Sequence, residues 1–174
     1  MSVNLANNAG GFPDYILQDG RRIQIRHSRA EDAESVAEAM ATASSRTLRN
    51  RFFSALQSLP LTELRALLEA NSTDACCLVA TLDGRVIGGA RFVRLGDPVS
   101  AEIAVTVHDT FQGQGLGTAL MQELIGIARQ RGIRLFTGEA LNDNQAIIAL
   151  LSRFVPVRIT RQEPGVRHLE MELD

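Results

Sequence analysis

The stretch Phe111-Gln112-Gly113-Gln114-Gly115-Leu116-Gly117-Thr118 joins a strand-like segment to a helix-like one through a loop almost bare of side chains. Before it, Ala101-Glu102-Ile103-Ala104-Val105-Thr106-Val107 alternates with period two. After it, Leu116, Leu120, Leu124, Ile127 and Ala128 recur at helical spacing. Glycines let the backbone approach a ligand closely. A helix N-terminus adds unpaired N–H groups and the positive end of the helix dipole, so the junction is built to hold an anion such as phosphate. The Thr118 hydroxyl adds one more donor.

The spacing decides between anion-binding loops. A Walker loop ends in Gly-Lys-Ser/Thr, and no lysine stands here. The dinucleotide pattern G-x-G-x-x-G fails because Thr118 or Leu120 falls on its last glycine. What fits is Gln/Arg-x-x-Gly-x-Gly/Ala, read as Gln112, Gly115 and Gly117. On these residues the stretch resembles the pyrophosphate-binding signature of the GCN5-related N-acetyltransferases (GNAT superfamily), which hold acetyl-coenzyme A at this junction. A glycine-rich turn without a ligand is the plain alternative.

A chain of 174 residues is the size of one domain, able to bury roughly 70% of its unfolded surface. A net charge of −2 gives no general attraction to nucleic acid or to an anionic membrane. No apolar run approaches the roughly 20 residues a membrane span needs, and Met1 to Gly11 lacks the regions of a signal peptide. A cytoplasmic protein is expected. Cys76 and Cys77 are adjacent in a strand-like run, so they point to opposite faces and suit burial better than a disulfide. With His27, His108 and His168 scattered, no metal-binding spacing is present.

Residues 1–14, polar and punctuated by Gly and Pro, read as a flexible arm able to dock on a partner subunit in a homodimer. Residues 15–174 read as a single domain. Tyr15-Ile16-Leu17 and Ile23-Gln24-Ile25 flank the hairpin dipeptide Asp19-Gly20. Ser28-Arg29-Ala30-Glu31 has capping-box spacing before a helix with Ala33, Val36, Ala37 and Met40 on one face. A second helix is expected over Ser44 to Leu56, with Leu48, Phe52, Ala55 and Leu56 facing inward. Its Arg46, Arg49 and Arg51 form either a solvated face or an attraction for an acidic acceptor. Leu61, Leu64, Leu67 and Leu68 mark a third helix.

Two runs, Cys76 to Leu82 and Val86 to Leu95, make a hairpin that leads into the Glu102 strand. Ile133 to Gly138 is reached through a helix and is therefore parallel to that strand. A last helix starts at Asn142 to Gln145, and a hairpin around Pro164-Gly165 closes the sheet. The fold class is α/β (α+β), the order of the GNAT fold. A mixed sheet of about seven strands, largely antiparallel with one splayed parallel pair, is flanked by about four to five helices. The resemblance implies that Val105, Thr106 and Val107 offer main-chain bonds to pantetheine, with a bulge turning an N–H toward the thioester oxygen. It implies a cofactor site formed with Gln112, Gly113, Gln114, Gly115, Leu116, Gly117 and Thr118.

Glu102, Ala104, Thr106 and His108 share one face of the cofactor strand. Transfer to an amine needs a base, because amines are mostly protonated near neutral pH. The string Ala-Glu-Ile-Ala resembles the glutamate-bearing strand of lysine acetyltransferases, and Glu102 is assigned as general base. His108 and Glu139 are the competing candidates. Asn144 matches the family asparagine that contacts pantetheine, although a helix cap needs no ligand. The tyrosine that protonates the departing thiolate in many members is replaced by Leu151. The usual Gly-Phe after the last helix is replaced by Phe154-Val155-Pro156.

From Asp19 onward, Asp19-Gly20-Arg21-Arg22, Arg29-Ala30-Glu31-Asp32-Ala33 and Ser45-Arg46-Thr47-Leu48-Arg49-Asn50-Arg51-Phe52-Phe53 resemble the acetyltransferase domain of bacterial Pat-type protein lysine acetyltransferases. That resemblance implies acetyl-CoA as co-substrate and no metal. It also implies a primary-amine acceptor, favoured as a protein lysine such as one in an acyl-CoA synthetase. A small-molecule amine N-acetyltransferase and a non-catalytic acyl-CoA sensor are the alternatives.

Overall fold

The computed structural model describes residues 12–52 and 59–174. Eight strands form one sheet in the order β1-β2-β3-β4-β5-β6-β8-β7. The strands are β1 (Asp14–Ile16), β2 (Arg22–His27), β3 (Ala75–Leu82), β4 (Arg85–Arg94), β5 (Ser100–Val107), β6 (Leu135–Leu141), β7 (Val157–Glu163) and β8 (Val166–Glu172). The helices are α1 (Ala33–Thr42), α2 (Ser45–Phe52), α3 (Leu61–Glu69), α4 (Leu116–Gln130) and α5 (Gln145–Leu151). All pairings are antiparallel except β5 with β6, which are parallel.

The i, i+4 series Leu116, Leu120, Leu124 and Ala128 makes α4 the main packing helix, and all four side chains are buried. They meet Phe92, Ile103, Phe136, Leu169 and Met171 from one face of the sheet. Gly132, at φ 75°, ends the helix in the left-handed conformation glycine tolerates. Across the sheet, Ala33, Leu64 and Leu68 pack with Cys77, Val79 and Val86, while Cys76 belongs to the α4 side. The two adjacent cysteines therefore do face opposite layers, and both are free and buried.

Several boundaries differ from the sequence reading. Phe12 is buried and Asp14 pairs with Gln24, so residues 12–14 belong to the domain; the rest of the expected arm, residues 1–11, lies outside the described residues. The second helix is described to Phe52, and Ala55 and Leu56 also lie outside the described residues. Thr47 is its buried side chain, and Leu48 is only half-buried. The Ser28 hydroxyl makes no cap. It donates to the Leu68 carbonyl at 2.6 Å, and Asp32 reaches back to the Arg29 N–H at 2.9 Å. The closing hairpin starts at Val157, because the turn after α5 carries Val155 into the core.

Candidate active site

The parallel pairing of β5 and β6 runs from Ser100 opposite Leu135 to Glu102 opposite Thr137 and stops there, although both strands continue. Beyond Glu102 the two strands diverge. Between them opens a cleft of about 400 Å³, lined on the β5 side by Glu102 through Val107 and on the β6 side by Gly138 and Glu139. Gly138 follows the last pair on β6, and a Cβ there would meet Ile103 Cγ1 at 3.4 Å, an ordinary contact. The other edge of β5 is taken by β4, in unbroken register from Gly88 opposite Val107 to Arg94 opposite Ala101. The bulge expected in β5 is therefore absent: the ladder with β4 is continuous, and the irregularity near this corner lies between β3 and β4, at Ala80/Thr81.

At the far end of the cleft the loop turns through Gly113 (φ 73°) and Gly115 (φ 92°), conformations that suit residues without a Cβ. The first helical bond of α4 runs from Ala119 N–H to the Gly115 carbonyl. Among the described residues, the N–H groups of Gly113 through Thr118 therefore have no main-chain acceptor, the donor set an anion needs. Gly117 lets α5 approach: a Cβ there would stand 3.1 Å from Leu150 Cδ2. Gly113, Gly115, Gly117 and Thr118 all line the cleft.

Three expected loop contacts are otherwise employed. The Leu116 side chain is fully buried in the core, so only its N–H faces the loop. Gln114 turns outward, donating to the Thr110 carbonyl at 3.2 Å and accepting from Arg21 at 3.5 Å. Gln112 lines the cleft, but its Nε2 donates to the Val107 carbonyl at 3.0 Å and to Thr47 Oγ1 at 3.1 Å. Its own N–H goes to the Asp109 carbonyl at 3.2 Å. Gln112 thus fastens the loop to the end of β5 and to α2. Asn144 lines the cleft and also caps α5, its Oδ1 accepting from Ile147 N–H at 3.3 Å.

The chemistry-bearing side chains are unequally placed. Glu102 is exposed at the cleft, where the strands part. Glu139 also lines it, and its carboxylate lies 3.2 Å from His168 Nδ1. His108 does not line this cleft; its ring nitrogens lie 3.1 Å from Thr42 Oγ1 and 3.0 Å from Thr110 Oγ1, a brace between α1 and the loop. Tyr15 is buried against α4, its hydroxyl donating to Glu123; burial, then Glu123, raises its pKa further above the ordinary tyrosine value. It does not line the cleft.

Sequence reasoning missed the α2 wall. Thr47, Asn50 and Arg51 line the cleft, whereas Arg46 and Arg49 are exposed. Half-buried Arg51 has its pKa lowered by desolvation and by the like charge of Arg91, opposed by Cys77 and Glu102. Nothing in the local sequence marks Arg51 apart from its two neighbours. Ala146, Ile147 and Leu150 of α5 line the opposite wall, as their helical spacing allows.

Residues 42–154 match the family model described as the acetyltransferase (GNAT) family. The chain belongs to the GNAT family of acetyltransferases. The chain is 33% identical over 160 residues to acetyltransferase Pat of Mycolicibacterium smegmatis, a match covering 90% of this chain and 47% of that protein. It is 33% identical over 122 residues to an acetyltransferase of Pseudomonas aeruginosa, covering 68% of this chain and 66% of the other. The chain thus spans about half the length of the first relative and 66% of the second. The GNAT domain of S. lividans PAT superposes with a TM-score of 0.84 at 28% identity, covering 92% of this chain and 96% of that one. A Salmonella typhimurium acetyltransferase solved with acetyl-CoA shares the fold, with a TM-score of 0.71 at 24% identity over 87% of this chain and 94% of that chain. Among the described residues no group of His, Cys, Asp and Glu is arranged to hold a metal, and no helix is long and apolar enough to cross a membrane.

Proposed function

We propose that residues 12–174 act as one acetyltransferase domain that moves the acetyl group of acetyl-CoA to a primary amine, with a protein lysine as favoured acceptor. The observation that carries this reading is the end of strand pairing at Glu102. It puts a carboxylate, the unpaired β5 backbone and the anion-binding loop on one continuous cleft. The diphosphate meets the N–H groups of Gly113 through Thr118, and the pantetheine arm takes the place of a strand beside Val105 to Val107. Gln112 shapes the loop and Asn144 holds the start of α5 against it.

Transfer then follows by direct attack. Glu102 accepts a proton from the acceptor ammonium, and the neutral nitrogen bonds to the thioester carbonyl carbon. The C–S bond breaks, the electron pair leaves on the coenzyme sulfur, and the second proton of the nitrogen passes to water or to the departing thiolate. A thiol of this kind has a pKa near 8.5, so departure as thiolate near neutral pH asks for little help. Leu151 in place of a tyrosine is compatible with that route.

An exposed Glu102 on an open cleft suits a side chain presented by another protein, such as an acyl-CoA synthetase, better than a small amine enclosed on all sides. Similarity to acetyltransferase Pat over 90% of this chain supports acetyl transfer, and the Pat-like motifs of the sequence favour a protein lysine as the acceptor, in a cytoplasmic setting. The test is thiol release from acetyl-CoA with panels of proteins and of small amines, for the wild type and Glu102→Gln. Turnover with protein acceptors that Glu102→Gln abolishes, with coenzyme binding kept, is the expected result. Turnover only with small amines contradicts the acceptor, and binding without turnover on either panel indicates a sensor. The 18 basic side chains of this chain are all arginine, so every acetyl-lysine formed belongs to the acceptor.

A further inference from the structure

The loop that faces the coenzyme and the helix that walls the cleft are joined by side chains far apart in sequence. Asp109, in the turn leading into the loop, caps the start of α2. Its Oδ2 accepts the Ser44 N–H at 2.7 Å, and its Oδ1 accepts the Ser44 hydroxyl at 2.6 Å and the Thr47 hydroxyl at 2.8 Å. Thr47 is buried, and it accepts in turn from Gln112 Nε2 at 3.1 Å. One turn further along α2, Asn50 and Arg51 line the cleft that holds Glu102. Arg49 of α2 pairs with Asp143 at 2.7 Å, just before the Asn144 cap of α5.

Each of these bonds is modest alone, but together they tie α2 to the loop. Gln112 is the hinge of the arrangement, because the same amide nitrogen holds the Val107 carbonyl at the end of β5. Asp109 stays ionised in this setting: burial alone raises its pKa, but the Ser44 and Thr47 bonds hold it below the ordinary carboxylate range.

We propose that Asp109 and Thr47 are positioning residues that couple the coenzyme loop to α2, so that filling the loop fixes the Asn50 and Arg51 wall of the acceptor cleft. The inference rests on the coenzyme reading above. Thr47→Val keeps the shape of the side chain while removing both of its hydrogen bonds, and Thr47→Ser keeps the hydroxyl.

The test is amide hydrogen exchange of the full chain, with and without saturating acetyl-CoA, following peptides over 109–118 and 45–52, with calorimetry on the same samples. In the wild type and Thr47→Ser, acetyl-CoA should slow exchange in both segments, in α2 by roughly five- to tenfold. In Thr47→Val the loop should still respond, whereas α2 should change less than about twofold. Asp109→Ala, which removes the acceptor shared by Ser44 and Thr47, should behave like Thr47→Val. A helix role limited to stability would change α2 exchange equally with and without coenzyme. Binding heat with an α2 that never responds, or that responds equally in Thr47→Val, overturns the inference alone. Absence of any heat overturns the coenzyme reading and the inference with it.

Discussion

Thr137 stands directly opposite Glu102, and the two form the last pair of the parallel strands β5 and β6. Beyond this pair β5 has no β6 partner and borders the cleft, with the Val107 carbonyl taken by Gln112 Nε2, so the carboxylate sits at the apex of the opening. Glu102→Gln keeps the shape and removes the base. Its kcat should fall about 10²- to 10⁴-fold while the affinity for acetyl-CoA stays within about twofold, as steady-state kinetics and calorimetry would show. An undiminished kcat would move the proton transfer to another cleft residue, and Glu139 is the other carboxylate lining the cleft.

Gly115 carries a left-handed φ of 92° at the head of α4. Gly115→Val places a β-branched side chain in that conformation, at a cost of about 1–2 kcal/mol, and distorts the N–H array. A hundredfold excess of acetyl-CoA over its dissociation constant should raise the wild-type Tm by roughly 5–10 °C. Gly115→Val should lose most of that shift, and thermal melts with and without coenzyme check it.

Leu124 is fully buried in the middle of α4 among the residues that carry the sheet. Leu124→Ala should lower the unfolding free energy by about 2–5 kcal/mol, measured by urea titration. The reaction of the folded fraction should be preserved, since Leu124 does not line the cleft.

Asp32 is buried and bonded to Arg26 at 2.6 and 2.8 Å and to the Arg29 N–H at 2.9 Å. Burial raises its pKa, but these partners outweigh burial and hold it below the ordinary carboxylate value. The native state therefore binds fewer protons than the unfolded state as acid is added. The contribution of Asp32 is present above about pH 4 and is lost as pH falls through its lowered folded value. Asp32→Asn should flatten the fall of stability between about pH 5 and pH 3, in melts taken across that range.

The parts that were legible in the sequence are those with a local period. The change from alternation before Val107 to helical spacing after Leu116 marked the loop, and the Asp83-Gly84 and Pro164-Gly165 turns marked the hairpins. The helix between β5 and β6 made their parallel pairing necessary. What was hidden depends on contacts between distant segments. Gln112 and Thr47 are 65 positions apart, and no local pattern tells that the glutamine of the loop motif is occupied by α2. Arg51 was indistinguishable from Arg46 and Arg49 until the helix docked on β5 and turned one arginine inward. The bulge expected in β5 came from family resemblance alone, and the regular β4 ladder replaces it.

The most direct measurement is titration calorimetry of the folded chain with acetyl-CoA, run beside Gly115→Val. Saturable heat at one site per chain, lost in the variant while its far-UV spectrum is unchanged, is the result that the loop geometry predicts. A well-folded wild type that takes up no coenzyme A species, or a Gly115→Val variant that binds as tightly as the wild type, would contradict it.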